Sequence, residues 1–175
     1  MITPEIVIES FKAVRANTIE IARDIPEDQF TFSPVDPMPT VLEQFHSILR
    51  ITEFMVGIAL HEGEVSFDAA PREEWFAKLT TTNLHYVKTP AEVVGALQLS
   101  IQNIEKRVLA AGADFLNQEV KAPDNRTKLR LWIVNCAKEQ EMVRRGQLFL
   151  YERMLGIVPH TTRRQQEREA QKSKG

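Results

Sequence analysis

The chain has 175 residues, 43% of them hydrophobic and 7% aromatic, which is enough apolar material for one domain with its own core. Its 22 lysines and arginines against 24 acidic residues leave a formal net charge of -2, so no broad basic field exists to hold a phosphate backbone and nucleic acid is not an expected partner. A single cysteine, Cys136, excludes an internal disulfide, and no apolar run approaches the roughly 20 residues that span a bilayer. Met1 to Glu9 lack the basic start, apolar core and cleavage site of a secretory leader, so a cytoplasmic location is expected.

In chain order, the first helix is expected from about Pro4 to Arg23. Thr3 can cap it, Pro4 suits the first helical position, and Val7, Phe11, Val14, Thr18 and Ile21 fall on one face. The stretch from Ile25 to Pro39 carries Pro26, Pro34, Pro37 and Pro39 and reads as a stiff extended connection. A second helix runs from Thr40 to about His61. One of its stripes contains Leu42, His46, Leu49, Glu53, Val56 and Leu60, and another contains Val41, Phe45, Ile48, Met55 and Ala59.

Periodicity is weak from Glu62 to Lys88, apart from a short helical stretch beginning near Pro71, and a long connection of this kind is often functional or lid-like. The third helix opens on Thr89-Pro90-Ala91-Glu92, a capping box, continues through Val94, Leu97, Ile101, Ile104 and Val108, and is expected to stop at Gly112. The fourth runs from about Lys128 to Leu155, with Gly156 as its stop and Pro159 beyond, a length of roughly 40 Å at the α-helical rise. Positions 160–175 read as a polar flexible tail, and His160 as solvent-exposed. The fold class is therefore all-α, a four-helix bundle over 1–159 with long connections, whose topology the periodicities leave open.

Polar residues on apolar stripes are the informative anomaly. His46, between Leu42 and Leu49, needs a hydrogen-bond partner or a metal. Glu53 lies two turns further on, either at the bundle rim or paired with an internal cation. On the fourth helix Gln140 and Arg144 are neighbours at four-residue spacing, and Cys136 and Gln147 extend their stripe. That face also reads as a partly solvated one whose arginines pair with Glu141 or other carboxylates. Gly146 in mid-helix is expected to mark a close helix approach. There is no phosphate-binding glycine loop, nucleophile elbow or histidine pair at helical metal-site spacing, since His46, His61, His85 and His160 are scattered.

The run Arg144-Arg145-Gly146-Gln147-Leu148, followed by Tyr151, Leu155-Gly156 and Pro159, resembles the closing signature of DinB/YfiT-like proteins. Phe32-Ser33-Pro34 leading into a helix that carries His46 resembles the same family, and the helix order is similar over most of Thr3 to Pro159. The resemblance implies a DinB-like bundle, often homodimeric, in which one histidine of the second helix and two of the fourth hold a divalent nickel or zinc ion. It also implies, for some members, thiol-dependent transfer or isomerisation. His46 matches the first ligand position, but Gln140 and Arg144 stand where the other two histidines are expected. An amide carbonyl is a poor ligand for such ions and a protonated guanidinium is none, so no metal or other cofactor is expected.

The expected protein is thus a metal-free homodimer whose polar pocket, built from His46, Glu53, Gln140, Arg144 and Gln147, takes a small anionic molecule. The alternatives are a thiol-dependent transferase or metal-dependent hydrolase of the family type, with Cys136 or a bound thiol as nucleophile and His46 as base, and a non-catalytic interaction protein whose polar residues fix bundle register.

Overall fold

The computed structural model describes residues 2–80 and 84–172. Helix α1 spans Pro4–Asp24, α2 Val41–Leu60, α3 Arg72–Leu79, α4 Pro90–Leu116, α5 Arg130–Met154 and α6 His160–Lys172. The caps set several of these starts. Thr3 accepts from the Ile6 N–H at the head of α1, and α2 and α4 open on complete capping boxes, Thr40 with Glu43 and Thr89 with Glu92. Gly112, expected as a stop, instead interrupts α4 with a φ of 76°, after which a further turn runs to the buried Leu116. A small antiparallel hairpin, β1 Glu119–Lys121 against β2 Thr127–Leu129, precedes α5. Strand pairing thereby claims Lys128 and Leu129, which the sequence places in the last bundle helix.

The bundle is formed by α1, α2, α4 and α5. Helix α2 packs mainly on α5 and α1 on α4, while contacts of α1 with α5 and α2 with α4 close the square. The pairs α1/α2 and α4/α5 therefore lie on the diagonals. Consecutive helices on a diagonal need connections that cross the end of the bundle, which explains the long segments that separate them. The first of these is not the extended segment expected from its prolines. It contains a 3-10 turn, Glu27–Gln29, and folds back so that the carbonyls of Phe30 and Phe32 accept from the N–H groups of Leu42 and Val41. Apolar burial drives the fold-back: Phe30 is buried and stacks on Phe45 with ring centroids 5.8 Å apart.

The core consists of two apolar layers with a polar layer between them. One apolar layer includes Phe11, Phe54, Ile104 and Val134, and the other includes Ile19, Phe45, Leu97 and Leu148. Between them Arg15 and Glu141, 1% and 0% exposed, form an ion pair in which Arg15 Nε donates to the Glu141 carboxylate at 2.9 and 3.0 Å. Thr18 donates to the same carboxylate at 2.6 Å, and the remaining Arg15 nitrogens donate to the Leu97 carbonyl at 3.0 Å and to Thr52 Oγ1 at 3.3 Å. All four bundle helices thus contribute to one buried, fully partnered network.

The polar tail also departs from expectation. Residues His160–Lys172 form α6, and His160 is buried, with Nε2 3.0 Å from Asn17 Oδ1. Arg163 donates through Nη2 to both oxygens of Asp24. A hydropathy stripe does not register such a helix, because its first turn is held by one histidine and one ion pair. Among the described residues no helix is long and apolar enough to cross a membrane.

Candidate functional site

His46, Ser47 and Arg50 project from α2, one α-helical turn separating His46 from Arg50, and meet Arg72 and Phe76 of α3 and Arg144 of α5 around an open cleft of about 550 Å³. Helix α3 reaches this position because Gly57 on α2 has no side chain: a Cβ there would stand 2.7 Å from the Leu79 carbonyl oxygen. Phe76 packs on Phe54 at 5.3 Å between ring centroids and lies under the Arg50 guanidinium at 4.5 Å.

Arg144 is half-buried and oriented by two neighbours. Its Nε donates to Ser47 Oγ at 2.7 Å, and its Nη1 donates to the side-chain oxygen of Gln140 at 3.0 Å and to the Gln140 carbonyl at 3.2 Å. Burial, and then the nearby Arg72 guanidinium, hold Arg144 below the ordinary arginine value. Among the described residues no carboxylate stands within ion-pair distance of Arg50, Arg72 or Arg144. Glu43 and Glu73 do line the cleft. The Glu43 carboxylate is occupied by the backbone N–H and hydroxyl of Thr40, which keep it below the usual carboxylate range.

The residues singled out from sequence separate into those at the cleft and those away from it. His46, Gln140 and Arg144 are brought to one region, with His46 Nε2 2.7 Å from the Val87 carbonyl. Glu53 is not there, but is buried in an ion pair with Arg107 of α4. Gln147 is exposed and does not line the cleft. Cys136 is buried, and burial together with Glu139 pushes its thiol up to about 11, far from the thiolate a nucleophile needs at neutral pH. Nor does Glu141 pair with the arginines beside it, because Arg15 of α1 takes it. Sequence reasoning missed Ser47, Arg50 and Arg72. Arg50 was detectable as the residue four after His46, whereas nothing local marks Arg72.

A model of the DinB superfamily matches residues 10–146. The chain belongs to the DinB superfamily. Among solved structures, a DinB-like protein, YjoA, from Bacillus subtilis is similar with a TM-score of 0.65 and 19% identity, over 87% of this chain and 92% of that one. The mycothiol-dependent maleylpyruvate isomerase is similar with a TM-score of 0.51 and 16% identity, and a mutant of it with 0.54 and 15%. Each match covers 90% of this DinB-superfamily chain but only 62% of the isomerase. At such identities the likeness concerns the fold. Among the curated proteins none matches.

The site residues of this DinB-superfamily member do not fit the divalent metal that the family resemblance implies. A carbonyl only accepts, so His46 Nε2 carries the proton it shares with Val87, leaving one ring nitrogen as a ligand. The Gln140 oxygen already accepts from Arg144, and Arg144 offers positive charge in place of a lone pair. Chemically, the arrangement provides oriented N–H donors and concentrated positive charge at the mouth of a cleft, a pattern suited to holding an anion.

Proposed function

We propose that this DinB-superfamily protein binds a small anionic molecule in the Arg144 cleft without a resident metal. The observation that carries this reading is the meeting of three guanidiniums, Arg50, Arg72 and Arg144, at one cleft with none of them in a carboxylate ion pair among the described residues. Like charges assembled in this way repel, and an anion relieves the repulsion. A buried, fully partnered Arg15–Glu141 layer already joins the four helices, which supports reading the Arg144 cluster as something other than a register device. A homodimer and a cytoplasmic location belong to the same proposal. Val143, Leu150 and Met154, exposed along α5, support the dimer, for which light scattering is the measurement.

The test is calorimetric titration at low ionic strength with inorganic phosphate and with succinate, on the wild type and on Arg144→Gln, with elemental analysis of the untagged protein alongside. Binding that Arg144→Gln weakens about tenfold or more, at unchanged melting temperature, is the expected result, in line with a lost charge-assisted hydrogen bond. Equal binding by the variant overturns the anion site, and a stoichiometric metal that disappears in His46→Ala overturns its metal-free character.

A further inference from the structure

Beside the arginine cleft lies a second cavity of about 400 Å³, and Arg72 and Ile51 line both. Its character is different. Phe54, Phe67, Trp132 and Ile133 form its walls, and Gln140, the side chain that holds Arg144, stands at its edge. Phe54 and Phe67 are stacked at 6.4 Å with an interplanar angle of 8°, and Phe54 in turn packs on Phe76 of the arginine cleft, so an aromatic row runs from one cavity to the other. The Arg72 guanidinium sits over Phe54, 5.9 Å from the ring centroid, where the two cavities join. Trp132 is 47% exposed and Phe67 38%, so apolar surface at this end is open to a ligand, with Lys128 Nζ 4.7 Å from the Trp132 ring centroid at its margin. The polar groups at the far end, Lys128 and Asp124, are already paired with each other.

We infer that the two cavities take one ligand, an elongated amphipathic carboxylate whose head lies at Arg144 and Arg72 and whose apolar body lies between Phe54, Phe67 and Trp132. This rests on the anion-binding reading above and extends it by naming the class of molecule. The joined cleft is cationic at Arg144 and Arg72 and mainly apolar beyond, its far end carrying charge only as the Lys128–Asp124 ion pair. The span fits an extended ligand, since Trp132 and Arg144 on α5 are separated by about 18 Å at 1.5 Å per residue. A small dianion fills only the arginine end and leaves the aromatic end wet.

The experiment is titration of the full chain with butyrate, octanoate and dodecanoate and with the neutral 1-octanol, by calorimetry and by tryptophan fluorescence. The variants are Arg144→Gln and Trp132→Ala, the second chosen because Trp132 is exposed and its loss spares the core. Affinity is expected to rise with chain length by up to about fourfold per methylene. Trp132→Ala should erase most of that rise while leaving butyrate unchanged, and Arg144→Gln should weaken every acid. Octanoate and dodecanoate no tighter than butyrate, with all three weakened by Arg144→Gln, overturns the joined ligand and leaves the anion site standing. 1-Octanol as tight as octanoate, with Arg144→Gln without effect on either, overturns both readings, whereas binding of none of the four overturns the joined ligand and leaves the anion site to its phosphate and succinate titration.

Discussion

Replacing Glu141 by leucine tests whether the polar layer in the bundle is an obligate pair. The substitution fills the space of the carboxylate but leaves the Arg15 guanidinium, 1% exposed, with only the Leu97 carbonyl and Thr52 hydroxyl as acceptors, and leaves the Thr18 hydroxyl to turn back to the Val14 carbonyl. An uncompensated buried charge of this kind costs about 3–5 kcal/mol. For a chain of this size that is a fall in melting temperature of about 10 °C, at some 2–4 °C per kcal/mol. Arg15→Met is expected to cost a similar amount, by stranding the carboxylate. The double variant Arg15→Met/Glu141→Leu restores an apolar layer and is expected within about 1 kcal/mol of the wild type, or above it, because desolvating the pair offsets most of its attraction. Urea unfolding followed by circular dichroism on the four proteins gives the cycle. Single variants that each lose less than about 1 kcal/mol, or a double whose loss equals the sum of the singles, would refute the pairing argument.

Glu152 is fully buried with neither carboxylate oxygen partnered among the described residues, and burial followed by Asp24 raises it from an ordinary 4.5 to about 7. The folded state therefore holds a proton that the unfolded state releases, so stability is greatest below about pH 4.5 and declines as pH rises to about 7. Glu152→Gln is expected to remove that decline, making the variant the more stable protein at pH 8 by up to about 3 kcal/mol and little different at pH 4. Melting curves across that range decide it, and an unchanged pH profile counts against a buried neutral acid. Gly57→Ala forces α3 away from α2 at Leu79 and is expected to cost about 1–3 kcal/mol. It should also weaken anion binding in the Arg144 cleft, so undiminished binding at full stability refutes the close-approach argument. Cys136 is expected to resist a thiol reagent at pH 7.5 in the native protein and to react fully in denaturant, and prompt native labelling would show an accessible thiolate.

Much of the fold was legible because its signals are local. Thr3, Thr40 and Thr89 cap the helices they precede, and Gly156, at a φ of 76°, follows the last bundle helix as a C-terminal glycine should. Several of the features that were not legible depend on a partner far away in sequence. Arg15 follows Phe11 by four residues on the buried face of α1, but only the distant Glu141 makes a charge tolerable there. Glu53 lies on an inward stripe and pairs with a cation, one of its two readings, but that the cation is Arg107 of α4 depends on tertiary packing. The Gln140–Arg144–Gln147 stripe follows the edge of the bundle rather than its interior, so one turn past Arg144 the side chain emerges into solvent. His160 and Arg163 dock a helix whose sequence has no apolar face.

Arg15 in the core and Arg144 at the cleft of this DinB-superfamily chain differ in how completely their donors are used. Arg15 has acceptors for Nε and both terminal nitrogens, and its charge is neutralised by a carboxylate that a threonine also serves. A ligand has nothing to add there, and the network is a fixture of the fold. Arg144 is held rigidly through Nε and Nη1 by neutral oxygens, which orient the guanidinium without neutralising it, and Arg72 beside it adds to the positive charge. Orientation without neutralisation is the condition for binding an anion from solution, because the cost of ordering the side chain is met by the fold and the charge is left over for the ligand. The core network of Arg15, Thr18, Thr52, Leu97 and Glu141 shares no residue with the cleft, so a change at Arg144 leaves the buried ion pair as it is.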